Sequence, residues 1–210
     1  PDGGYFSSLD ADTEGGEGRY YTWSRQEVTE ALNETQARLF ARAYGMDGPA
    51  NFEGRWHLQR AVSTEALAEE EDLPPADIEH YLEQARQWLQ ATRSQRPAPG
   101  RDDKVLCAWN ALMIRGMARA ARDLRREALA DSAQQALDFL HHAHWRDGRL
   151  WASHREGDTA HPAYLDDHAF LIDALLEMLQ LRWRDADLRW AMTLADQLLE
   201  RFQHPEGGFF

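Results

Sequence analysis

The sequence predicts an all-α fold: helical hairpins of an α/α toroid, (α/α)6 barrel-like, with minor short β strands in its loops. Three observations carry that expectation. A glycine–aromatic loop recurs as Asp2-Gly3-Gly4-Tyr5-Phe6, Asp147-Gly148-Arg149-Leu150-Trp151 and Glu206-Gly207-Gly208-Phe209-Phe210, and such recurrence is the mark of a repeat architecture. The last two copies lie 59 residues apart, an offset that superposes Leu112 on Leu171, Met113 on Ile172, Met117 on Leu176 and Phe139 on Leu198. Helices also alternate in character. Residues 105–114 and 169–176 are apolar nearly all round, as suits helices surrounded by protein. The helices that follow carry wet faces, with Arg126, Glu127, Asp131 and Gln134 in one and Asp187, Arg189, Gln197 and Glu200 in the other. Buried helices inside and amphipathic ones outside make two rings.

Residues 7–18 are polar, acidic and glycine-rich, and read as a loop. Arg19-Tyr20-Tyr21-Thr22-Trp23 alternates and is aromatic, which predicts a short strand. Ser24-Arg25-Gln26-Glu27 is a capping box that opens a helix with Val28, Leu32, Leu39, Phe40 and Ala43 inward, ended by Gly45. Residues 46–62 read as loop with short extended pieces. A short helix is expected near 64–70 and a longer one from Ala76 to about Arg93, with Ile78, Leu82, Ala85 and Leu89 at helical spacing. Pro97-Ala98-Pro99-Gly100 breaks the chain. Helices follow at about 103–123, 126–144, 166–182 and 187–203. Roughly six hairpins close such a ring and this chain holds about three. An exposed apolar edge is therefore expected, to be covered by a second copy or by further sequence. Residues 1–210 are read as part of one toroid domain, cut from a longer chain at two repeat boundaries.

Composition bounds the function. The net charge of −13 argues against nucleic acid or an anionic membrane surface as partner, since both would repel it. No apolar run approaches the roughly 20 residues of a membrane span. The single cysteine, Cys107, excludes an internal disulfide framework, which points to a reducing, cytoplasmic compartment. Cys107 itself reads as a small core residue. Eight tryptophans suit either sugar-stacking rings or thick helix packing.

Loops preceding the inner helices line one mouth of a toroid, where positive helix ends converge. Two acidic clusters fall there: Arg101-Asp102-Asp103-Lys104 and Asp166-Asp167-His168. Asp10 and Asp12 lie in a third acidic loop. Paired carboxylates facing one cavity are what glycosyl chemistry needs, one protonated as acid and one ionised as base or nucleophile. Asp102, Asp103, Asp166 and Asp167, with Lys104, are thus the catalytic candidates, and an epimerase or isomerase would also use a base and an acid flanking one carbon. Arg101, Trp109, Asn110, His168, Asp10, Asp12 and Trp23 are the substrate-binding candidates. The competing reading is structural, because aspartate at a helix start is a common cap and charges this dense pair with each other. His141, His142 and His144 end an outer helix and read as surface histidines. No metal site and no cofactor is expected. Asp10, Asp12 and Glu14 lack the closing ligand of a calcium loop.

Several motifs together resemble one family. Gly3-Gly4-Tyr5-Phe6-Ser7-Ser8-Leu9-Asp10-Ala11-Asp12 and Glu17-Gly18-Arg19-Tyr20-Tyr21-Thr22-Trp23 resemble the signature of the YyaL / spermatogenesis-associated protein 20 family. Asn51-Phe52-Glu53-Gly54, Pro99-Gly100-Arg101-Asp102-Asp103-Lys104-Val105-Leu106, Trp109-Asn110 and Leu165-Asp166-Asp167-His168-Ala169-Phe170-Leu171 match its later motifs in order. The resemblance implies a thioredoxin-like domain preceding an (α/α)6 toroid similar to N-acylglucosamine 2-epimerase and six-hairpin glycosidase folds, with this chain as the toroid's middle. It departs at Cys107-Ala108, where Thr-Ser is common, at Ala111, where Gly is common, and at His168, where Tyr is frequent. Two functions are expected to compete: a carbohydrate-active toroid, epimerase/isomerase-like or glycoside hydrolase-like, and a non-catalytic ligand- or partner-binding module serving a thioredoxin-like domain.

Overall fold

The computed structural model describes residues 3–13 and 15–210, so Asp2 of the first glycine loop and Glu14 of the acidic loop lie outside the described residues. The elements in chain order are β1 (Ser8–Leu9), β2 (Asp12–Thr13), β3 (Gly16–Glu17), α1 (Arg25–Ala31), α2 (Glu34–Ala43), α3 (Thr64–Glu71), α4 (Pro75–Arg93), β4 (Arg101–Asp102), β5 (Val105–Leu106), α5 (Cys107–Leu124), α6 (Glu127–His144), β6 (Trp145–Arg146), β7 (Arg149–Arg155), β8 (Asp158–Pro162), α7 (Leu165–Leu181) and α8 (Asp185–Phe202). The class is all-α with short strands, as the sequence predicts. The chain divides into two compact units, Leu9–Gly100 and a second that joins the segment ending at Ser8 to Arg101–Phe210.

In the Leu9–Gly100 unit, α1 starts on the expected capping box. Ser24 Oγ accepts the Glu27 N–H at 3.2 Å while Glu27 Oε2 accepts the Ser24 N–H at 2.7 Å. The single helix expected from there to Gly45 is instead two. Leu32 is extended, and Asn33 Oδ1 accepts the Gln36 N–H at 2.9 Å to start α2. A short side-chain amide that satisfies a free helix-end donor restarts a helix rather than continuing one. The strand expected over 19–23 shrinks to a Trp23–Trp56 bridge, with N–H to carbonyl distances of 3.0 and 2.8 Å. Trp23, Leu39, Phe40, Leu67, Ile78 and Leu82 form the core of this unit.

The other unit contains the α5–α6 and α7–α8 hairpins, with α5 packed against both α6 and α7. Ile114, Leu137, Leu140, Leu171, Leu175 and Met178 are at its centre, and Cys107 is buried as expected. The packing repeat is offset by one from the loop repeat. Ala111, Ile114 and Ala118 match Leu171, Ala174 and Met178 in burial, sixty positions on, whereas Leu112 is exposed and Leu171 is not. Burial follows the helix register, and loop spacing does not fix that register. The helix expected from about 103 starts only at Cys107, because Val105 and Leu106 pair with His154 and Ser153 in an antiparallel sheet. Within that sheet β7 joins β6 and β8 by two-residue turns, Asp147-Gly148 and Glu156-Gly157, all four residues with positive φ. Such turns match the twist of the strands they connect. This ribbon was not anticipated beyond minor strands. His144 also departs from the surface reading, since it is wholly buried while His141 and His142 are exposed. The face of α5 away from its core shows Trp109, Leu112 and Met113 to solvent, so this helix is not surrounded on every side.

Candidate functional site

The charged residues before α5 pair locally. Lys104 Nζ lies 3.1 Å from Asp102 Oδ2, and Arg101 Nε lies 2.5 Å from Asp103 Oδ1. The Lys104 contact holds the Asp102 carboxyl below its usual range. Arg101 also lies over the Phe6 ring, 4.1 Å from its centre, a cation–π contact. The Lys104 carbonyl accepts from both the backbone N–H and the hydroxyl of Ser7 at 2.8 Å.

Asp167 is buried, and both its oxygens bind helix-end amides. Oδ1 accepts the Ala108 N–H and Oδ2 accepts the Tyr164 N–H, each at 2.9 Å. One carboxylate therefore caps α5 and α7 together, which satisfies free donors at two helix starts. Burial pushes this carboxyl above its usual range, helped by the neighbouring Asp166, against the opposing effect of the amides. Asp166 is exposed and accepts the Asp167 N–H at 3.1 Å. His168 is wholly buried; its Nδ1–H donates to the Tyr164 carbonyl at 2.8 Å, its ring meets Phe202 edge-on, and burial lowers its pKa. Asn110 is also buried. Its Oδ1 accepts the Tyr5 N–H at 2.8 Å, and its Nδ2 donates to the carbonyls of Tyr5 and Leu106 at 3.0 and 2.9 Å. Of the substrate-binding candidates in this unit, Trp109 alone presents a large free ring.

In the Leu9–Gly100 unit a cleft of about 340 Å³ is lined by Leu9, Asp10, Glu17, Tyr21, Phe52 and His57, among others. Asp10 Oδ1 accepts the Asp12 N–H at 3.1 Å, and the Asp10 N–H donates to the Gly100 carbonyl at 2.7 Å. Asp12 lies opposite Glu17 across the β2–β3 pair. Gly18, at φ +64°, has Phe52 so close that a Cβ would stand 3.1 Å from its ring. Asn51 pins the far wall, accepting the His57 N–H at 2.8 Å and donating to its carbonyl at 2.9 Å.

Two arginines shape the loop behind the cleft. Arg96 donates to the carbonyls of Arg19, Tyr20 and Thr22 at 3.2, 2.8 and 2.9 Å, and its guanidinium lies 4.1 Å from the centre of the Trp23 ring. Arg55 donates to the Thr22 hydroxyl and carbonyl, both at 2.9 Å, and to Glu27 at 2.6 Å. Trp23 is thus a buried support under Arg96 rather than an open face. Glu17, Tyr21, Phe52 and His57 were not among the candidates. Glu17, Tyr21 and Phe52 fall within two of the resembling motifs, Glu17 to Trp23 and Asn51 to Gly54, whereas His57 lies outside them.

No family model matches the chain. It is 29% identical to human spermatogenesis-associated protein 20 over 98% of its own length and 31% of that protein. The mouse protein of that name is 30% identical over 98% of this chain and 30% of its own length. An uncharacterized Caenorhabditis elegans protein is 24% identical over 99% of this chain and 33% of its own length. The chain therefore spans about a third of the curated relatives it matches, and the family resemblance carried by the motifs runs along nearly all of it. Among solved structures, a cellobiose 2-epimerase from Spirochaeta thermophila superposes with TM-score 0.47 at 19% identity, over 51% of this chain and 28% of that one. A GH76 α-mannanase from Bacteroides thetaiotaomicron superposes with TM-score 0.47 at 15% identity, over 86% of this chain and 57% of that one.

Proposed function

We propose that this chain is a carbohydrate-binding part of a longer protein, and that its ligand sits in the cleft lined by Asp10, Glu17, Tyr21, Phe52 and His57. The cleft is the observation that carries the reading: the aromatic side chains of Tyr21 and Phe52 for a sugar ring, beside carboxylates and an imidazole for its hydroxyls. The aspartates at the starts of the inner helices have other partners. Asp102 and Asp103 are in ion pairs, and Asp167 caps two helices. That favours binding over catalysis at those residues.

The test is calorimetric titration of the full-length protein with mono- and oligosaccharides, beside Phe52→Ala and Asp102→Asn. Removing the Phe52 face should weaken binding roughly five- to tenfold, while Asp102→Asn should leave it unchanged. Saccharide binding that is indifferent to Phe52→Ala and abolished by Asp102→Asn would overturn the assignment.

A catalytic reading, as sugar epimerase, isomerase or hydrolase, is favoured by one observation. The exposed Asp166 stands at the start of an inner helix beside Asp167, whose carboxyl is held above its usual range by burial, and adjacent carboxyls in unlike environments are a feature of acid–base sites. It requires turnover of a sugar by the full-length protein that disappears in Asp166→Asn while the fold persists.

A further inference from the structure

We infer that a second pocket in the Leu9–Gly100 unit binds a small aromatic monocarboxylate, with Arg93 meeting the carboxylate and the aromatic ring lying over Trp23, Phe40 and Leu89. This goes beyond the carbohydrate reading and does not rest on it. The pocket, of about 320 Å³, shares no lining residue with the cleft. Helix α4 supplies Arg86, Leu89, Gln90 and Arg93 to it, and their i, i+3, i+4 and i+7 spacing puts them on one face. Trp23, Phe40 and Leu89 make a buried apolar floor, while Tyr44 and Leu58 stand half-buried at the rim.

Charge selects an anion. Arg86 is committed to Glu79 and Glu83, at 2.5 and 2.7 Å. Arg60, over the Tyr44 ring, donates to the Val62 carbonyl and the Thr64 hydroxyl, both at 2.7 Å. Arg93 differs. It is half-buried, and among the described residues its guanidinium has no hydrogen bond and no ion pair; it lies over the Tyr20 and Tyr21 rings, 5.7 and 5.9 Å from their centres. The exposed Gln90 amide, one turn before it, also has no hydrogen bond among the described residues. Burial lowers the Arg96 pKa, and repulsion from Arg55 and Arg93 adds to that against the pull of Glu27, so positive charge is in excess where Arg93 stands. In a chain of net charge −13, a guanidinium without a carboxylate is an exception, and a partly desolvated one is best met by a carboxylate in its plane.

The pocket also selects the rest of the ligand. Arg93 neutralises one negative charge, and Glu79 and Glu83 beside Arg86 repel a dianion such as phosphate. Trp23, Phe40, Tyr44, Leu58 and Leu89 make most of the lining, a surface that an apolar ring covers and a bare acetate does not. Ligand pockets run from roughly 300 to 1,000 Å³, so this one takes a single ring.

The experiment titrates the full-length protein calorimetrically, at neutral pH and low salt, with phenylacetate, benzoate, phenylacetamide, acetate and inorganic phosphate, and repeats the series on Arg93→Gln. Arg93 holds no hydrogen bond or ion pair among the described residues, so the variant should keep its fold, which circular dichroism checks. Phenylacetate or benzoate should bind about tenfold tighter than phenylacetamide or acetate, and Arg93→Gln should remove the advantage over phenylacetamide. Phenylacetamide binding as tightly as both carboxylates overturns the anion site, and that comparison needs only the unsubstituted protein. Carboxylate binding that Arg93→Gln leaves unchanged overturns the assignment to this pocket. Acetate binding as tightly as phenylacetate overturns the aromatic body, and phosphate that displaces phenylacetate at equimolar concentration overturns the choice of a monoanion. Absence of binding by both phenylacetate and benzoate overturns the inference.

Discussion

One carboxylate, that of Asp167, accepts the Ala108 and Tyr164 amides and so fixes the starts of two helices. Asp167→Ala should lower stability by about 3 kcal/mol, the sum of two caps at roughly 1–2 kcal/mol each, and urea unfolding measures it. Asp167→Asn, which keeps one acceptor, should fall between. The buried histidines supply a pH dependence. His144 donates Nδ1–H to the Trp151 carbonyl at 2.9 Å, and burial lowers its pKa to about 4 from 6.5. The unfolded chain then binds the proton first, so stability is complete above about pH 6.5 and falls as pH drops toward about 4, by roughly 3 kcal/mol. His154 and His168, lowered by burial, act in the same sense, whereas Asp167, raised, acts oppositely at lower pH. The urea midpoint should therefore fall between pH 7 and 5, less steeply in His144→Gln; an unchanged slope in that variant contradicts the assignment. The sequence placed Asp167 at a helix start but not on its second helix, because Ala108 lies 59 positions away. It misplaced His144 because a helix-end histidine gives no hint of the sheet that covers it.

At the scale of elements, helix existence was legible from apolar spacing and several boundaries from caps. Ser24 and Glu27 start α1 as read, and α6, α7 and α8 fall within two residues of their expected limits. The break at Asn33 was missed because Val28, Leu32, Leu39 and Phe40 keep a nearly helical spacing across it. Asn33→Ala should destabilise by about 1 kcal/mol, the value of an N-cap, as read from thermal unfolding. The β6–β7–β8 ribbon was hidden for another reason: its signals are the short Asp147-Gly148 and Glu156-Gly157 turns. Glycines in two places test how tightly these loops fit. Gly148 has open space around a Cβ but φ +69°, whereas at Gly3, φ +124°, a Cβ would stand 2.5 Å from the Gln135 carbonyl oxygen. Gly148→Ala should cost about 1 kcal/mol and Gly3→Ala distinctly more, about 2–3 kcal/mol, since it must also move backbone. Equal losses in chemical denaturation would contradict the close approach at Gly3.

For the molecule as a whole, alternation of apolar and amphipathic helices gave the hairpins, and the pairings α5–α6, α5–α7 and α7–α8 follow from it. The net charge of −13 argues against polyanionic partners and names none. The cleft was not legible as a site because its walls come from residues 9–22 and 52–57, segments far apart in sequence that their motifs mark but do not bring together. What the sequence did mark, the aspartates at the helix starts, the structure finds serving as caps and ion-pair members. The function we propose therefore rests on a cleft lined by exposed carboxylates and aromatic side chains rather than on those aspartates. Calorimetric titration of the full-length protein with saccharides, before and after Phe52→Ala, tests that most directly. Saturable saccharide binding that weakens roughly five- to tenfold in the variant is the predicted result; binding of the same strength in both proteins, or none in either, contradicts it.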